Sequence, residues 1–325
     1  MSRKRRGDDD ADDTTVDRIM AALERGPAGL HDLGEPTVDV PLDWPASVGD
    51  VYLAFDGGTL FGDLLTLTPA AEATVDDDGL VAIGELLGDV VWFDRKGRIW
   101  RADADTGERI VDGSRFDRWL YGVIDGLARL YDDDGEFADD AFTDDGELTD
   151  EVAEAQLHAQ LKRDARAPGP RWRLARSLAA RGELTAAREQ LEDVVAASPE
   201  LGWAWLDLAR ISEKLGELPG AIDEAEAAAA ARPGHELTAY FLAEAARLAA
   251  LAGDEPRRAG LAGRALALDP ELARGQVAGA TTSLEAGELD DAAHLAALAR
   301  ALAPRDLAVL DLVRRVDAAR AQPPT

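Results

Sequence analysis

Apolar residues in the second half of the chain recur at helical spacing, in units that repeat about every 34 residues. Each unit has a glycine that can end a first helix, an alanine-rich stretch for a second helix, and a proline that cannot continue it. The prolines are spaced by 34, 37 and 34 residues, and the glycines open the segments Gly182–Ala187, Gly216–Ala221, Gly253–Ala259 and Gly287–Ala292. The pattern predicts four helical hairpins over residues 168–304 and a capping helix within 305–325.

These hairpins resemble the tetratricopeptide repeat (TPR) family at the small residues where paired helices cross. In the first two units these residues are Ala175, Ala187, Ala209 and Ala221. The resemblance implies an all-α helical-hairpin solenoid with a groove that binds peptides or partner helices. The alternative is that the repeats only rigidify or dimerise the protein. The third unit is longer, and we place its extra residues in the inter-helix turn at Gly253–Arg258; Gly279 and Ser283 predict loose packing in the fourth.

The first half of the chain combines helical and strand-like patterns, which predicts an α+β domain over residues 14–131. Helical spacing predicts helices over Thr14–Arg25, Ser47–Phe55 and Ser114–Tyr131. Thr14 and Asp17 resemble a capping box for the first helix, and Ser114 can cap the last. Short apolar runs bounded by Asp and Gly predict strands over Leu64–Thr68, Leu80–Ile83, Val90–Asp94 and Ile99–Ala102, with a hairpin turn at Asp94–Gly97. The domain is therefore a small antiparallel sheet with flanking helices.

Three strings within residues 14–131 resemble the SUKH superfamily, which includes yeast cell-wall synthesis regulators and many bacterial immunity proteins. A helix ends in an aromatic–Asp–Gly–Gly corner, a Gly–Asp pair precedes a strand that ends in Asp, and the closing helix carries Phe-x-x-Trp-Leu. The matching residues are Phe55, Asp56, Gly57, Gly58, Gly88, Asp89, Asp94, Phe116, Trp119 and Leu120. The resemblance implies a non-catalytic domain, since its bacterial members look like neutralisers of toxins, often nucleases. Gly57 and Gly58 are expected at positive φ.

Acidic residues outnumber basic ones by 64 to 35, and most of the net charge of −29 lies in the first half. Residues 1–150 have a net charge of −23, and residues 151–325 of −6. The acidic half would repel nucleic acid and anionic membranes and would attract a basic protein partner, such as a toxin domain. The alternative is that the charge only provides solubility or suits a salty cytoplasm. Because no apolar run is long enough for membrane insertion, and cysteine and a signal peptide are missing, we expect a cytoplasmic location.

Residues 132–150 are dense in carboxylates and low in complexity, which predicts a solvated acidic linker between the two halves. The alternative is an acidic lure for a basic partner, with Phe137 and Phe142 as its anchors. At the start of the chain, residues 1–13 predict a disordered charged tail, with a targeting or nucleic-acid-contacting arm as the alternative. Residues 151–167 predict a connecting helix.

Residue patterns of known catalytic and cofactor sites are missing from the sequence. The four histidines, His31, His158, His235 and His294, have no second histidine at metal-ligand spacing. No nucleophile elbow, phosphate loop or dinucleotide fingerprint is present, and the register of a calcium loop fails around Gly135 and Gly146. We therefore predict no catalytic residue, no cofactor, no metal and no enzymatic activity. A hidden active site is the alternative.

The candidate partner-binding residues belong to three groups. The first group, Asp56, Asp89, Asp94, Trp92 and Trp100, lies around the predicted sheet, where turn capping and cross-strand packing are the alternative roles. The second group is Phe137 and Phe142. The third group, Arg171, Arg173 and Lys214 together with Arg176, could line the repeat groove and clamp a carboxylate. The sequence thus predicts a protein-interaction protein, either an immunity or regulatory protein or a general TPR scaffold with a passive N-terminal module. It leaves the partner and the oligomeric state open.

Overall fold

The computed structural model describes residues 14–25, 29–132 and 134–321, and it divides into two compact units between Ser177 and Leu178. Unit 1 contains an antiparallel sheet with helices, and unit 2 contains helical hairpins. The predicted fold class, an α+β domain followed by an all-α TPR-like array, is confirmed. The tail predicted over residues 1–13 lies outside the described residues.

Unit 1 has an eight-stranded sheet in the order β1-β2-β3-β5-β6-β7-β8, with β4 paired to β5. The strands are β1 His31–Leu33, β2 Gly58–Leu60, β3 Leu65–Leu67, β4 Thr74–Val75, β5 Val81–Leu86, β6 Asp89–Phe93, β7 Ile99–Ala102 and β8 Arg109–Gly113. The helices are α1 Thr15–Arg25, α2 Ala46–Tyr52, α3 Phe116–Leu127, α4 Asp150–Arg163 and α5 Pro168–Ala180, the last of which contains the unit boundary.

One face of the sheet is buried because apolar residues alternate along the strands. Val91, Phe93 and Ile99 pack in one core with the apolar stripe of α3, which includes Phe116 and Trp119. Trp92 of β6 and Trp100 of β7, which alternate with these residues, lie on the opposite face. The core therefore fixes which strand residues remain available to solvent.

Four hairpin turns in unit 1 share one geometry and one sequence signature. At Asp76, Asp94 and Asp132 the carboxylate accepts hydrogen bonds from the N–H groups two and four residues later, at 2.9–3.0 Å. In each case the residue three positions on is a glycine with φ between +77° and +82°. Thr143 opens the fourth turn and accepts from the Glu147 N–H at 3.2 Å. The signature Asp/Thr-x-x-Gly therefore accompanies the same tight turn at these four positions.

The acidic segment 132–150 contains two of these turns and differs from the predicted linker. Isolated bridges join Tyr131 to Phe137 and Phe142 to Leu148 across the turns. Ala141, between them, is fully buried in the core of unit 1. The described residues of this segment are therefore folded, because the side chains at the ends of its turns are apolar even though the turns themselves are acidic.

Helix α4 and the start of α5 also belong to unit 1. α4 packs along α3, where an added Cβ on Gly122 would lie only 2.8 Å from the Cα of Gln160. The hydroxyl of Ser114 donates to Asp164 at 2.7 Å instead of capping α3. Gly169 of α5 lies against β8, where an added Cβ would be 3.1 Å from the Val111 carbonyl oxygen. The predicted connecting helix is therefore a packed element of the sheet domain.

Unit 2 consists of helical hairpins whose turns are fixed by glycine. Its helices are α6 Leu184–Ala197, α7 Gly202–Lys214, α8 Leu218–Ala231, α9 Thr238–Leu251, α10 Glu255–Leu268, α11 Leu272–Ala286, α12 Leu289–Leu302 and α13 Leu307–Arg320. Gly182, Gly216, Gly253 and Gly287 have φ between +74° and +83°, as the helix-ending role requires.

The extra residues of the third unit do not lie in its inter-helix turn. The spacing from the helix-ending glycine to the proline that closes the unit (Pro199, Pro233, Pro270 or Pro304) is 17 residues in every unit. In contrast, the spacing from Pro233 to Gly253 is 20 residues, whereas the other units have 17 between the closing proline and the next helix-ending glycine. The extra residues therefore precede Gly253, where the connection 232–237 between α8 and α9 is longer than 198–201. The placement at Gly253–Arg258 was wrong because the glycine, and not the following residues, marks the turn.

The fourth hairpin departs from a regular stack. α12 packs against α9 and α10, whereas α11 packs mainly against α12 and α13. Leu298, Ala301 and Leu302 of α12 join the core of the preceding hairpins, and Ala280 is the one residue of α11 that is fully buried. Gln276 of α11 occupies the position that the apolar Leu242 has in α9. The first helix of this hairpin therefore lacks an apolar residue at a position that is buried in α9.

We expect Gly58→Ala to destabilise unit 1 by about 3 kcal/mol, because two penalties coincide there. Gly58 has φ of +123°, and an added Cβ would collide with the Asp32 carbonyl oxygen and lie 2.8 Å from the Leu33 Cα. Gly79→Ala is the matched control: its φ is +78° with nothing within 4 Å, so about 1 kcal/mol is expected. Urea denaturation compares the two, and equal losses would contradict the packing argument.

Candidate functional site

The outer face of the sheet carries a pair of tryptophans flanked by arginines. Trp92 and Trp100 are directly opposite each other in the β6–β7 register, and both are partly exposed. The Arg109 guanidinium lies 4.3 Å from the centre of the Trp92 ring, and that of Arg98 lies 5.1 Å from the Trp100 ring. This surface offers aromatic area, but cation–π contacts within unit 1 already use part of it.

The three aspartates predicted around the sheet have structural partners. Asp56 accepts from the Ala70 N–H at 2.7 Å, and Asp89 accepts from Arg101 at 2.9 Å. Asp94 accepts from Arg98 Nε at 2.7 Å as well as from the turn N–H groups. Burial acts to raise the pKa of Asp94, but the hydrogen bonds and the charge of Arg98 outweigh it, so this pKa is lowered. Their role in partner binding stays a prediction.

Phe137 and Phe142 form the outer end of an aromatic column. Phe137 stacks on Tyr131, with ring centres 4.8 Å apart, and meets Phe142 edge-to-face at 5.1 Å. Tyr131 stacks in turn on the buried Phe61 at 5.9 Å and donates a hydrogen bond to its carbonyl oxygen at 2.7 Å. Phe137 is 52% exposed. The structure thus places an accessible aromatic ring among exposed carboxylates of the two acidic turns.

The arginines predicted for the repeat groove make contacts within unit 1. Arg171 donates to the Ala165 carbonyl at 2.9 Å, and Arg176 forms an ion pair with Asp103 at 3.2 Å. Arg173 pairs with Asp112, which is 1% exposed and also accepts from Trp119 Nε1 at 2.9 Å. These contacts hold α5 against the sheet. Sequence reasoning did not identify Asp112, since one aspartate among so many gives no signal.

Burial acts to raise the pKa of Asp112, but the charges of Arg173 and Arg101 outweigh it and lower this pKa. Arg101 lies 3.6 Å from the carboxylate. Both arginines therefore stabilise the charged form of the buried Asp112 carboxylate.

Unit 2 presents a polar ladder across α7 and α9. Trp203, Asp207 and Arg210 occupy positions i, i+4 and i+7 of α7, and Tyr240, Glu244 and Arg247 occupy the same positions of α9. The two sets interact, since Arg210 donates to the Tyr240 hydroxyl at 3.3 Å and lies 3.6 Å from the Glu244 carboxylate. Arg247 also pairs with Glu213 of α7 at 2.6 Å. The repeated aromatic–acid–arginine pattern, 37 residues apart, was a signal that sequence reasoning missed. Lys214 is exposed at the end of α7.

Glu244 is the centre of this ladder and is fully buried. Its carboxylate accepts from the Tyr240 hydroxyl at 2.8 Å and from Arg247 Nε at 2.9 Å, and it contacts His294 Nε2 of α12 at 2.8 Å. Burial acts to raise the pKa of Glu244, but His294 and Arg247 outweigh it and lower this pKa to about 2. Burial raises the pKa of Tyr240, and the negative charge of Glu244 raises it further. The fourth hairpin is thus tied to the ladder through His294.

Among the described residues, no group of three or more His, Asp or Glu side chains has an arrangement that could hold a metal ion. Within the same part of the chain, no helix is both long and apolar enough to cross a membrane.

Taken together, the elements define an antiparallel α+β unit followed by a TPR-like hairpin array with an atypical last hairpin. No protein-family model and no curated protein matches the chain. Solved structures that match it include MamA, at 14% identity and a TM-score of 0.36 over 53% of this chain and 88% of that chain. YrrB, a TPR protein with an unusual peptide-binding site, matches at 16% identity and a TM-score of 0.36 over 51% of this chain and 84% of its own. A putative kinesin light chain with TPR-like repeats from Podosopora anserina matches at 22% identity and a TM-score of 0.37, over 54% and 88%.

Proposed function

We propose that this chain is a non-enzymatic protein-interaction protein, in which a SUKH-like unit 1 binds a basic protein and the hairpins of unit 2 bind a second protein. In its most specific form, the proposal is an immunity or regulatory role in the cytoplasm, with a cationic toxin domain such as a nuclease as first partner. Nucleic acid and membranes are excluded from the proposal, because the acidic charge of the first half repels both.

The observation that carries this proposal is the division of the carboxylates of unit 1 into two groups. Buried carboxylates bind partners within the unit; examples are Asp103, Asp112, Asp117 and Asp164. Exposed carboxylates are concentrated on the two acidic turns, where they include Asp134, Glu136, Asp139, Asp140, Asp144, Asp145 and Glu147. Such a surface attracts a basic protein at long range, and the half-exposed Phe137 supplies apolar area for contact.

The test is the association rate of the full-length chain with a basic protein encoded beside its gene, measured by stopped-flow fluorescence. Replacing Asp139, Asp140, Asp144 and Asp145 together by asparagine is expected to lower the rate about tenfold at low salt, because steering scales with charge. The matched control replaces Glu271, Glu285, Asp290 and Asp311, which are exposed in unit 2, by their amides and is expected to change little. An association rate unaffected by salt between about 0.05 and 0.5 M would contradict the proposal.

A general scaffold in which unit 2 alone binds the partner is the second candidate function. The polar ladder of α7 and α9 favours it, since equivalent residues recur there on the first helices of two consecutive hairpins. Under this alternative the four asparagine substitutions leave the affinity unchanged, whereas Lys214→Glu, which inverts an exposed charge at the end of α7, reduces it. The reverse pattern favours the first proposal.

A further inference from the structure

We infer that the exposed face of Phe137 is a docking platform for an arginine side chain of a basic protein segment. This inference rests on the proposed function, because it names the side chain that the acidic surface would select. It concerns one ring and its surroundings in unit 1.

The platform is held in place by a column of rings that leads into the core. The buried end is Phe61, which is 1% exposed and meets His31 edge-to-face with ring centres 4.6 Å apart. Tyr131 stacks on Phe61 at an interplanar angle of 30°, and Phe137 stacks on Tyr131 at 26°. The Phe142 ring lies next to Phe137, with ring centres 5.1 Å apart and an interplanar angle of 76°. One face of Phe137 is thus covered by Tyr131, and the 52% exposed ring offers its other side to solvent.

A rigid ring of this kind needs no ordering when a ligand binds, so little side-chain entropy is lost. The backbone on either side is also fixed. The Glu136 N–H is bonded to the Asp132 carboxylate at 3.0 Å, and the Ala138 N–H is bonded to the Leu130 carbonyl at 2.9 Å. Phe137 is therefore a preorganised contact.

The charge around the ring selects a cation. Glu136, Asp139 and Asp140 are exposed neighbours of Phe137 in the chain, and the second turn adds Asp144 and Asp145. An apolar partner side chain carries no positive charge to offset these carboxylates. A cation stacked on the ring is attracted both by the π face and by the carboxylates.

Arginine fits this platform better than lysine. Its guanidinium is planar, stacks on aromatic rings and forms two parallel hydrogen bonds with a carboxylate, whereas the lysine ammonium is a compact and strongly hydrated charge. Unit 1 uses the same pairing internally, since the Arg163 guanidinium lies 3.9 Å from the centre of the Tyr121 ring while it pairs with Asp125 at 2.5 Å. We therefore commit to an arginine-rich segment of a partner protein as the occupant.

The test uses the full-length chain and two labelled homopeptides of equal length, one of arginine and one of lysine, with fluorescence anisotropy as the readout. At about 0.15 M salt we expect the arginine peptide to bind more tightly. Phe137→Leu keeps the apolar volume of the half-exposed side chain but removes the ring. It is expected to weaken arginine-peptide binding about two- to fivefold, the size of an exposed cation–π contact, and to leave lysine-peptide binding nearly unchanged.

Two further variants separate the platform from general effects. Phe137→Tyr is expected to retain the arginine preference, because it keeps a π face. Leu53→Ala changes another residue of unit 1 that is half exposed (51%) and is expected to alter neither affinity. If both peptides bind equally and Phe137→Leu changes neither affinity, the inference of an arginine platform is wrong, whereas the proposed binding of a basic protein is kept. If neither peptide binds even at low salt, the proposed function fails together with it.

Discussion

Glu244→Gln is expected to destabilise unit 2 by about 3–5 kcal/mol, the cost of breaking a buried charge network. Glu244 is fully buried and contacts Tyr240, Arg247 and His294. The amide retains the size of the side chain but leaves the Arg247 guanidinium without one of its two carboxylate partners. Urea denaturation followed by circular dichroism measures the loss, and hydrogen exchange of α9 amides assigns it to unit 2.

Glu226→Gln provides the control for this variant. The Glu226 side chain is 31% exposed and pairs with Arg257 and Arg264, so its removal should cost less than about 1 kcal/mol. Comparable losses for the two variants would show that the network around Glu244 contributes no more than a surface ion pair.

Acid should have the same effect as this substitution. The pKa of Glu244 is lowered in the folded state from 4.5 to about 2. Because the unfolded chain binds the proton more readily, the contribution of Glu244 is complete above about pH 4.5 and is lost as pH falls toward 2. In the Glu244→Gln variant this part of the acid dependence should disappear, which a pH series of urea titrations can measure.

Asp112→Asn is the second substitution with a large expected effect, about 3–5 kcal/mol in unit 1. The Asp112 carboxylate is buried and is shared by Trp119, Arg101 and Arg173. Asparagine can still accept one hydrogen bond, but it removes the negative charge that faces the Arg173 and Arg101 guanidinium groups, the two cations that lower the pKa of the Asp112 carboxyl. Thermal unfolding followed by near-ultraviolet circular dichroism measures the loss.

Asp105→Asn is its control, because Asp105 also pairs with an arginine of α5, Arg176, but its side chain is 67% exposed. A change below about 1 kcal/mol is expected there. If Asp112→Asn costs no more than Asp105→Asn, the attachment of α5 does not depend on the buried carboxylate.

The elements with a strong period were predictable from the sequence. The capping box of Thr14 and Asp17 is present, with the Thr14 N–H bonded to the Asp17 carboxylate at 2.9 Å and the Asp17 N–H to Thr14 Oγ1 at 3.2 Å. The turn at Asp94–Gly97 and the positive φ of Gly57 and Gly58 also agree with the prediction. In each case, one local rule determines the geometry without help from distant residues.

The acidic segment shows why composition can mislead. The Asp-x-x-Gly signature that predicted the turn at Asp94 recurs at Asp132, but a high density of carboxylates suggested a linker there. The apolar residues at the turn ends, such as Phe142 and Leu148, carried the opposite signal. A search for the turn signature would have found both acidic hairpins.

Other features depend on contacts that no local pattern contains. Strands β1 and β2 are three residues long and form only because each pairs with a neighbour. The packing of α12 against α9 depends on whether α11 or α12, two helices of similar sequence pattern, fits better against the preceding hairpin. The residues of the polar ladder were predictable as a pattern, but their mutual contacts were not.

The way α5 begins has a practical consequence for dissecting the protein. A fragment cut at residue 131 or 150 would lack Asp164, Gly169 and Arg173, which lie against Ser114, Asp112 and β8. The cut would expose the backbone of β8 at the edge of the sheet and would remove one of the two arginines that partner the buried Asp112 carboxylate. Such a fragment is expected to polymerise edge to edge. A fragment that continues to Ser177 retains the start of α5 against β8 and is expected to stay monomeric.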